Sequence, residues 1–267
     1  MIWDALRAAV ERDEPVALAT VIEGPGTGSK LLVGVDPSAE PLGTLGHPDL
    51  DRVVARDARG ELAAGTTDVR HYGEQGEARV DAAVTVFIES FAPPARMLIF
   101  GAVDFTAALA RVAKLLGYRV IVCDAREVFA TKRRFPMADE VIVDWPNRLL
   151  ERVGSTLSER DAVCVLTHDV KFDVPAILSA LATDVGYIGA MGSRRTHAAR
   201  VERLREAGVD EEGLARVRAP IGLDIGARTP EETAVSVVAE IIAARTGRSS
   251  TAPLRDTDGP IHAVSEA

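Results

Sequence analysis

Tyr187-Ile-Gly-Ala-Met-Gly-Ser-Arg-Arg-Thr196 reads as the end of a short apolar strand, a glycine turn and the start of a helix. Ile188 closes the strand signal, Gly189 and Gly192 form the turn, and Ala198, Val201 and Leu204 recur behind it at helical spacing. Strands that alternate with helices in this way build a parallel sheet. Glycines at such a turn let the backbone approach a ligand closely, and the N–H groups at the helix start face an anion. Arg194 and Arg195 add two fixed positive charges whose forked donors suit phosphate. The stretch predicts a site for a phosphorylated ligand. The competing reading is a tight turn carrying two solvated arginines.

The same alternation extends on either side. Met97–Phe100, Tyr118–Cys123, Glu140–Val143, Ala162–Thr167 and Val185–Ile188 read as strands, with helices over Phe105–Leu116, Arg148–Val153 and Val174–Leu181. Continuous apolar strands separated by helices predict a Rossmann-like parallel sheet with helices on both faces. Its last helix carries a complete start signal: Thr229 as N-cap, Pro230 at the first helical position and Glu232 closing a capping box.

Upstream the pattern differs. A helix over residues 2–11, strands over Val16–Ile22 and Leu31–Val35, a loop over Gly43–Pro48, a helix over Leu50–Leu62 and one or two strands over Val80–Phe91 predict a small α+β domain. Ala92-Pro93-Pro94 is a stiff break. The expected domains are 1–93 and 94–247, followed by a polar, flexible tail over 248–267.

Bulk composition narrows the function. The chain has 267 residues and a formal net charge of −9, so general affinity for nucleic acid is not expected. No run approaches the roughly 18 apolar residues of a membrane helix. There is no signal-peptide pattern, and Cys123 and Cys164 sit singly inside apolar runs. A cytoplasmic protein without a zinc or disulfide framework is expected.

Three further stretches could carry chemistry. Met97-Leu-Ile-Phe-Gly101-Ala-Val-Asp104-Phe-Thr106 occupies the place of a dinucleotide fingerprint, with Asp124 about 20 residues on where a ribose-binding acid belongs. Val103 and Thr106 stand where two of the glycines belong, so ordinary NAD(P) binding is impaired. The alternative is that Asp124 is a plain strand-end residue. Thr167-His168-Asp169 follows a strand directly, at the sheet edge where open α/β sheets bind ligands. The alternative is a helix cap beside a solvated histidine. Pro220-Ile-Gly222-Leu-Asp224-Ile-Gly226-Ala-Arg228-Thr229 is a loop that offers a close backbone approach, an acid and an arginine, or else a structural turn. His197 reads as a surface residue.

Together, Leu166–Asp169, Tyr187–Thr196, Pro220–Ala234, Val122-Cys-Asp-Ala-Arg126, Phe129-Ala-Thr131 and Asp144-Trp-Pro146 closely resemble the XdhC/CoxI family. These are accessory proteins of xanthine dehydrogenase and carbon monoxide dehydrogenase. The resemblance implies binding of molybdenum cofactor (molybdopterin or its cytosine dinucleotide form), support of its sulfuration, and delivery to an apo molybdenum hydroxylase. It also implies a sulfurtransferase partner and self-association. Gly189, Gly192, Ser193, Arg194 and Arg195 would then hold phosphate or nucleotide, with Thr167, His168 and Asp169 beside the ligand. NAD(P)-dependent oxidoreduction and ligand-free docking of the target enzyme are the competing functions.

The chain departs from the family pattern in its N-terminal domain. Where members carry a Gly-Gly-Cys type motif it has Leu45-Gly46-His47-Pro48, and where they carry a second cysteine segment it has Asp81-Ala82-Ala83-Val84. A Gly-x-Gly-His turn has become Gly101-Ala102-Val103-Asp104. Thiolate is the natural ligand for molybdenum or sulfur handling. Such chemistry is therefore not expected of this N-terminal domain.

Overall fold

The computed structural model describes residues 1–77, 83–167, 169–248 and 252–258. Asp81 and Ala82, His168 and most of the C-terminal tail lie outside the described residues. The chain divides into two compact units, one over Met1–Pro93 and the other beginning at Pro94.

The first unit runs α1 (Ile2–Glu11), β1 (Val16–Glu23), β2 (Lys30–Gly34), β3 (Leu42–Thr44), α2 (Pro48–Ala64), β4 (Asp68–Tyr72) and β5 (Val84–Phe91). Its strands form an antiparallel sheet in the order β3-β2-β1-β5-β4. Side chains alternate across a strand, so one strand can supply two cores. Ala17, Ala19 and Val21 of β1 pack with Leu50, Val54 and Leu62 of α2, whereas Val16 and Leu18 pack with Leu6 and Ala9 of α1. Two elements differ from the sequence reading. Leu42–Thr44, with Gly43 and Thr44 expected as loop, is an edge strand, and the polar Asp68–Tyr72 pairs with β5. Neither has an apolar alternation of its own; backbone pairing with a neighbour holds them.

The second unit runs β6 (Arg96–Phe100), α3 (Asp104–Leu115), β7 (Arg119–Cys123), β8 (Glu140–Ile142), α4 (Pro146–Val153), β9 (Ala162–Val165), α5 (Val170–Leu181), β10 (Tyr187–Ala190), α6 (Arg194–Glu206), α7 (Glu211–Ala215), β11 (Val217–Arg218) and α8 (Pro230–Arg245). All of its strands are parallel, in the order β11-β10-β9-β6-β7-β8. The sheet starts at β6, grows to β8 on one side, then returns past β6 to grow on the other. This is the doubly wound order, with its reversal between β6 and β9.

Both faces of this sheet are buried. Met97 and Ile99 of β6 face α3 and α8 through Leu109, Val237 and Ile241, while Leu98 and Phe100 face α4 and α5 through Leu150 and Ile177. That is why β6 reads as an unbroken apolar run. Each such fully buried side chain contributes roughly 1.5–3 kcal/mol. Helix α5 starts at Val170, four residues before the expected start, because the Asp169 carboxylate accepts the Lys171 N–H at 3.0 Å and caps it there. Pro175, expected near the start, falls inside the helix. The capping box of α8 forms as expected: Thr229 Oγ1 accepts the Glu232 N–H at 3.2 Å, and the Glu232 carboxylate accepts the Thr229 N–H at 3.0 Å.

Candidate functional site

The strand reversal opens a cleft at the carboxyl ends of β6 and β9. Gly101 follows β6 with φ +110°, and a Cβ there would lie 2.9 Å from Thr167 Cγ2 and 3.0 Å from Thr167 N. Only glycine combines that backbone with so close an approach. The cleft has a volume of about 460 Å³ and is lined by Val103, Arg126, Thr167, Asp169, Val170 and Phe172. Phe172 packs against Trp145, with ring centroids 4.8 Å apart and the ring planes tilted by 35°.

The dinucleotide turn itself is closed. Asp124 is 3% exposed, and its carboxylate accepts the Ala102 N–H at 2.7 Å and the Arg126 N–H at 2.9 Å. It also pairs bidentately with Arg126, through Nε at 2.9 Å and Nη2 at 2.7 Å. Burial opposes its ionisation, but the Arg126 guanidinium and the two amides outweigh burial and hold the carboxyl below its ordinary pKa. An N–H of the turn that would face a pyrophosphate is thus given to an internal acid. The Thr106 hydroxyl donates to the Gly101 carbonyl, at the position where the fingerprint's third glycine lets helix and strand pack closely. The exposed Asp104 adds negative charge at the α3 N-terminus. The Arg126 guanidinium stacks over the Phe129 ring at 4.7 Å.

The neighbouring turn, after β10, is built the other way. Ser193 caps α6, its Oγ accepting the Thr196 N–H at 3.1 Å. His197 N bonds Ser193 O, which leaves the Arg194 and Arg195 N–H groups as the helix-end donors without an intrahelical acceptor. Both arginine side chains are exposed. Arg194 Nη2 lies 3.9 Å from Asp224 of the following loop, and both side chains are 90% exposed. The structure therefore places Asp224 beside the arginine turn. Gly189 sits tightly packed: a Cβ there would lie 2.5 Å from Ile221 Cδ1. Gly192, at φ +149°, lets the chain pass over Thr196 and Arg200.

The two turns are tied together below the surface. The Thr167 hydroxyl donates to the Asp173 carboxylate, which pairs with Arg200 Nη2 at 2.9 Å. The same nitrogen reaches the Met191 carbonyl at 2.8 Å. Nothing in the residue pattern singled out Asp173 or Arg200, which is one of five arginines on α6. Gly222 plays a packing part: its N–H donates to Glu240 at 2.8 Å, and a Cβ there would lie 2.5 Å from Ser236 Oγ. Gly226, at φ +76°, lies in the open loop. His197, expected at the surface, is half-buried, and burial beside Arg200 lowers its pKa. His168 lies outside the described residues.

The cysteines are structural. Both are buried in strands of the second unit. Burial pushes the Cys123 thiol up to about 12 and that of Cys164 further. In the first unit, the Leu45–Pro48 loop serves as a helix start: His47 Nδ1 accepts the Asp49 N–H at 3.2 Å and Pro48 opens α2. Among the described residues no cluster of His, Cys, Asp and Glu is placed to hold a metal, and no helix is long and apolar enough to cross a membrane.

A doubly wound sheet with a closed dinucleotide turn, an open cleft and an adjacent arginine turn defines a Rossmann-like domain of an unconventional kind. Residues 97–241 match the XdhC Rossmann domain and residues 9–73 match the XdhC and CoxI family, so the chain belongs to the XdhC/CoxI family. It is 36% identical over 165 residues to a probable component of the xanthine dehydrogenase of Bacillus subtilis, a match covering 62% of this chain and 47% of that relative. It is 30% identical over 159 residues to the molybdenum cofactor insertion chaperone PaoD of Escherichia coli, covering 60% of this chain and 43% of PaoD. The matches thus span about half the length of these relatives or less. The fold is that of a crystal structure of a xanthine dehydrogenase from Bacillus halodurans, with a TM-score of 0.53, 22% identity, and coverage of 94% of this chain and 97% of that one.

Proposed function

We propose that this protein is a maturation factor that binds molybdenum cofactor, or its nucleotide form, and delivers it to an apo molybdenum hydroxylase in the cytoplasm. The observation that carries this reading is the α6 turn: two helix-end amides and two exposed arginines, next to an open cleft, in a member of the XdhC/CoxI family. Amides and guanidinium groups suit a phosphate. The name of the Escherichia coli relative, an insertion chaperone, supports the same role here.

The donor set tests the fit. Phosphate and a ring system match the groups present. The metal centre does not draw on this chain for a thiolate, because both cysteines are buried and held as thiols. The protein therefore grips the organic part of the cofactor, and sulfuration falls to a separate sulfurtransferase. The closed turn at Asp124 and Ala102 argues against NAD(P) as the ligand. The test is the pterin content of protein purified from a cofactor-producing host, read as fluorescence after oxidative release.

A further inference from the structure

In an ordinary doubly wound protein the cleft beside the first strand takes the phosphates. Here the polar groups lining it are arranged differently. Thr167 Oγ1 is committed to Asp173, and Arg126 Nε and Nη2 are committed to Asp124. Asp169, an exposed residue, stands on the cleft wall with its Oδ1 accepting the Lys171 N–H in the α5 cap, which holds the carboxylate in place. A carboxylate repels phosphate and accepts N–H donors. The remaining walls are Val103, Val170 and Phe172, and Phe172 is backed by Trp145. Apolar walls with one carboxylate held in place suit a flat ring that presents neighbouring N–H groups along one edge.

We propose that this cleft is a ring subsite for a 2-amino-4-oxopyrimidine, the edge that guanine and pterins share, with the Asp169 carboxylate accepting its ring N–H and exocyclic NH2. The ring lies against Phe172. The Arg126 guanidinium, already stacked on Phe129, borders the same cleft. Cytosine and adenine turn a ring acceptor towards such a carboxylate and are disfavoured. This inference deepens the carrier reading, on which it rests for the natural ligand. The phosphate goes to the α6 turn and the pterin ring to the cleft.

The test uses phosphate-free ligands, so that the α6 turn takes no part. The full chain is titrated calorimetrically with 6-hydroxymethylpterin, guanosine, cytidine and adenosine, and the series is repeated on Asp169→Asn. Asparagine caps a helix as well as aspartate, so α5 is preserved. The wild type is expected to prefer the pterin and guanosine over the other two by on the order of tenfold or more, and Asp169→Asn to lose that preference. Equal binding of all four rings, no binding of any, or an undiminished preference in Asp169→Asn overturns the ring subsite. If such a result comes with pterin co-purifying with the wild type, the carrier reading survives and the subsite fails. Ring preference without co-purified pterin leaves the subsite and removes the carrier.

Discussion

The Arg200 guanidinium meets the Asp173 carboxylate at 2.9 Å, with the two side chains 3% and 4% exposed. This buried pair joins the loop after β9, through Thr167, to the loop after β10, through Met191. The cleft and the arginine turn therefore share one internal support.

Arg200→Ala leaves the Asp173 charge buried and unpaired, which costs about 3–5 kcal/mol. Arg194→Ala on the same helix removes an exposed side chain and stays within about 0.5 kcal/mol of the wild type. Urea unfolding of the two variants measures the difference. Equal losses from both would mean that the pair is not a support.

Asp124 gives a prediction with a definite sign. Its folded pKa lies below the ordinary value, so its contribution is complete above the unfolded pKa of about 3.9 and disappears as pH falls through the folded pKa. Asp124→Asn is therefore expected to lose roughly 1–3 kcal/mol at pH 7, with the gap from the wild type narrowing below about pH 4. Melting curves across that range test it, and a gap that stays constant with pH excludes the ion pair as its source. NADH is expected to give no saturable quenching with the wild type.

The thiols are expected to be inert while the protein is folded. With Cys123 raised to about 12 by burial and Cys164 higher still, neither carries thiolate at pH 8. A thiol-reactive chromophore should label neither cysteine in native protein and both after denaturation. Labelling of either at the rate of a free thiol in native protein would return sulfur chemistry to this chain.

Much of this was legible in the sequence. The apolar runs around Ile99, Val122 and Cys164 predict a parallel sheet because both of its faces are buried. The capping box at Thr229 and Glu232 places α8, since a cap is a local interaction. Val103 and Thr106 stand out in the sequence as departures from the dinucleotide fingerprint. The sequence does not reveal what closes that turn, because the contact of Asp124 with Ala102 spans 22 residues. Strand β4 escaped for a related reason: Asp68-Val-Arg-His-Tyr72 is held by pairing with β5 and not by an apolar period. Asp173 and Arg200, 27 residues apart, become partners only when β9 and β10 lie side by side.

In the proposed function, the α6 turn holds the phosphate of a bound pterin cofactor. The most direct measurement purifies the wild type and the Arg194→Ala, Arg195→Ala double variant, without oxygen, from a host that makes molybdenum cofactor, and quantifies the released pterin by fluorescence. Near-stoichiometric pterin with the wild type, and its loss from a double variant that still unfolds within about 0.5 kcal/mol per substitution of the wild type, is the predicted result. A folded wild type that carries no pterin, or a double variant that carries as much as the wild type, would contradict it.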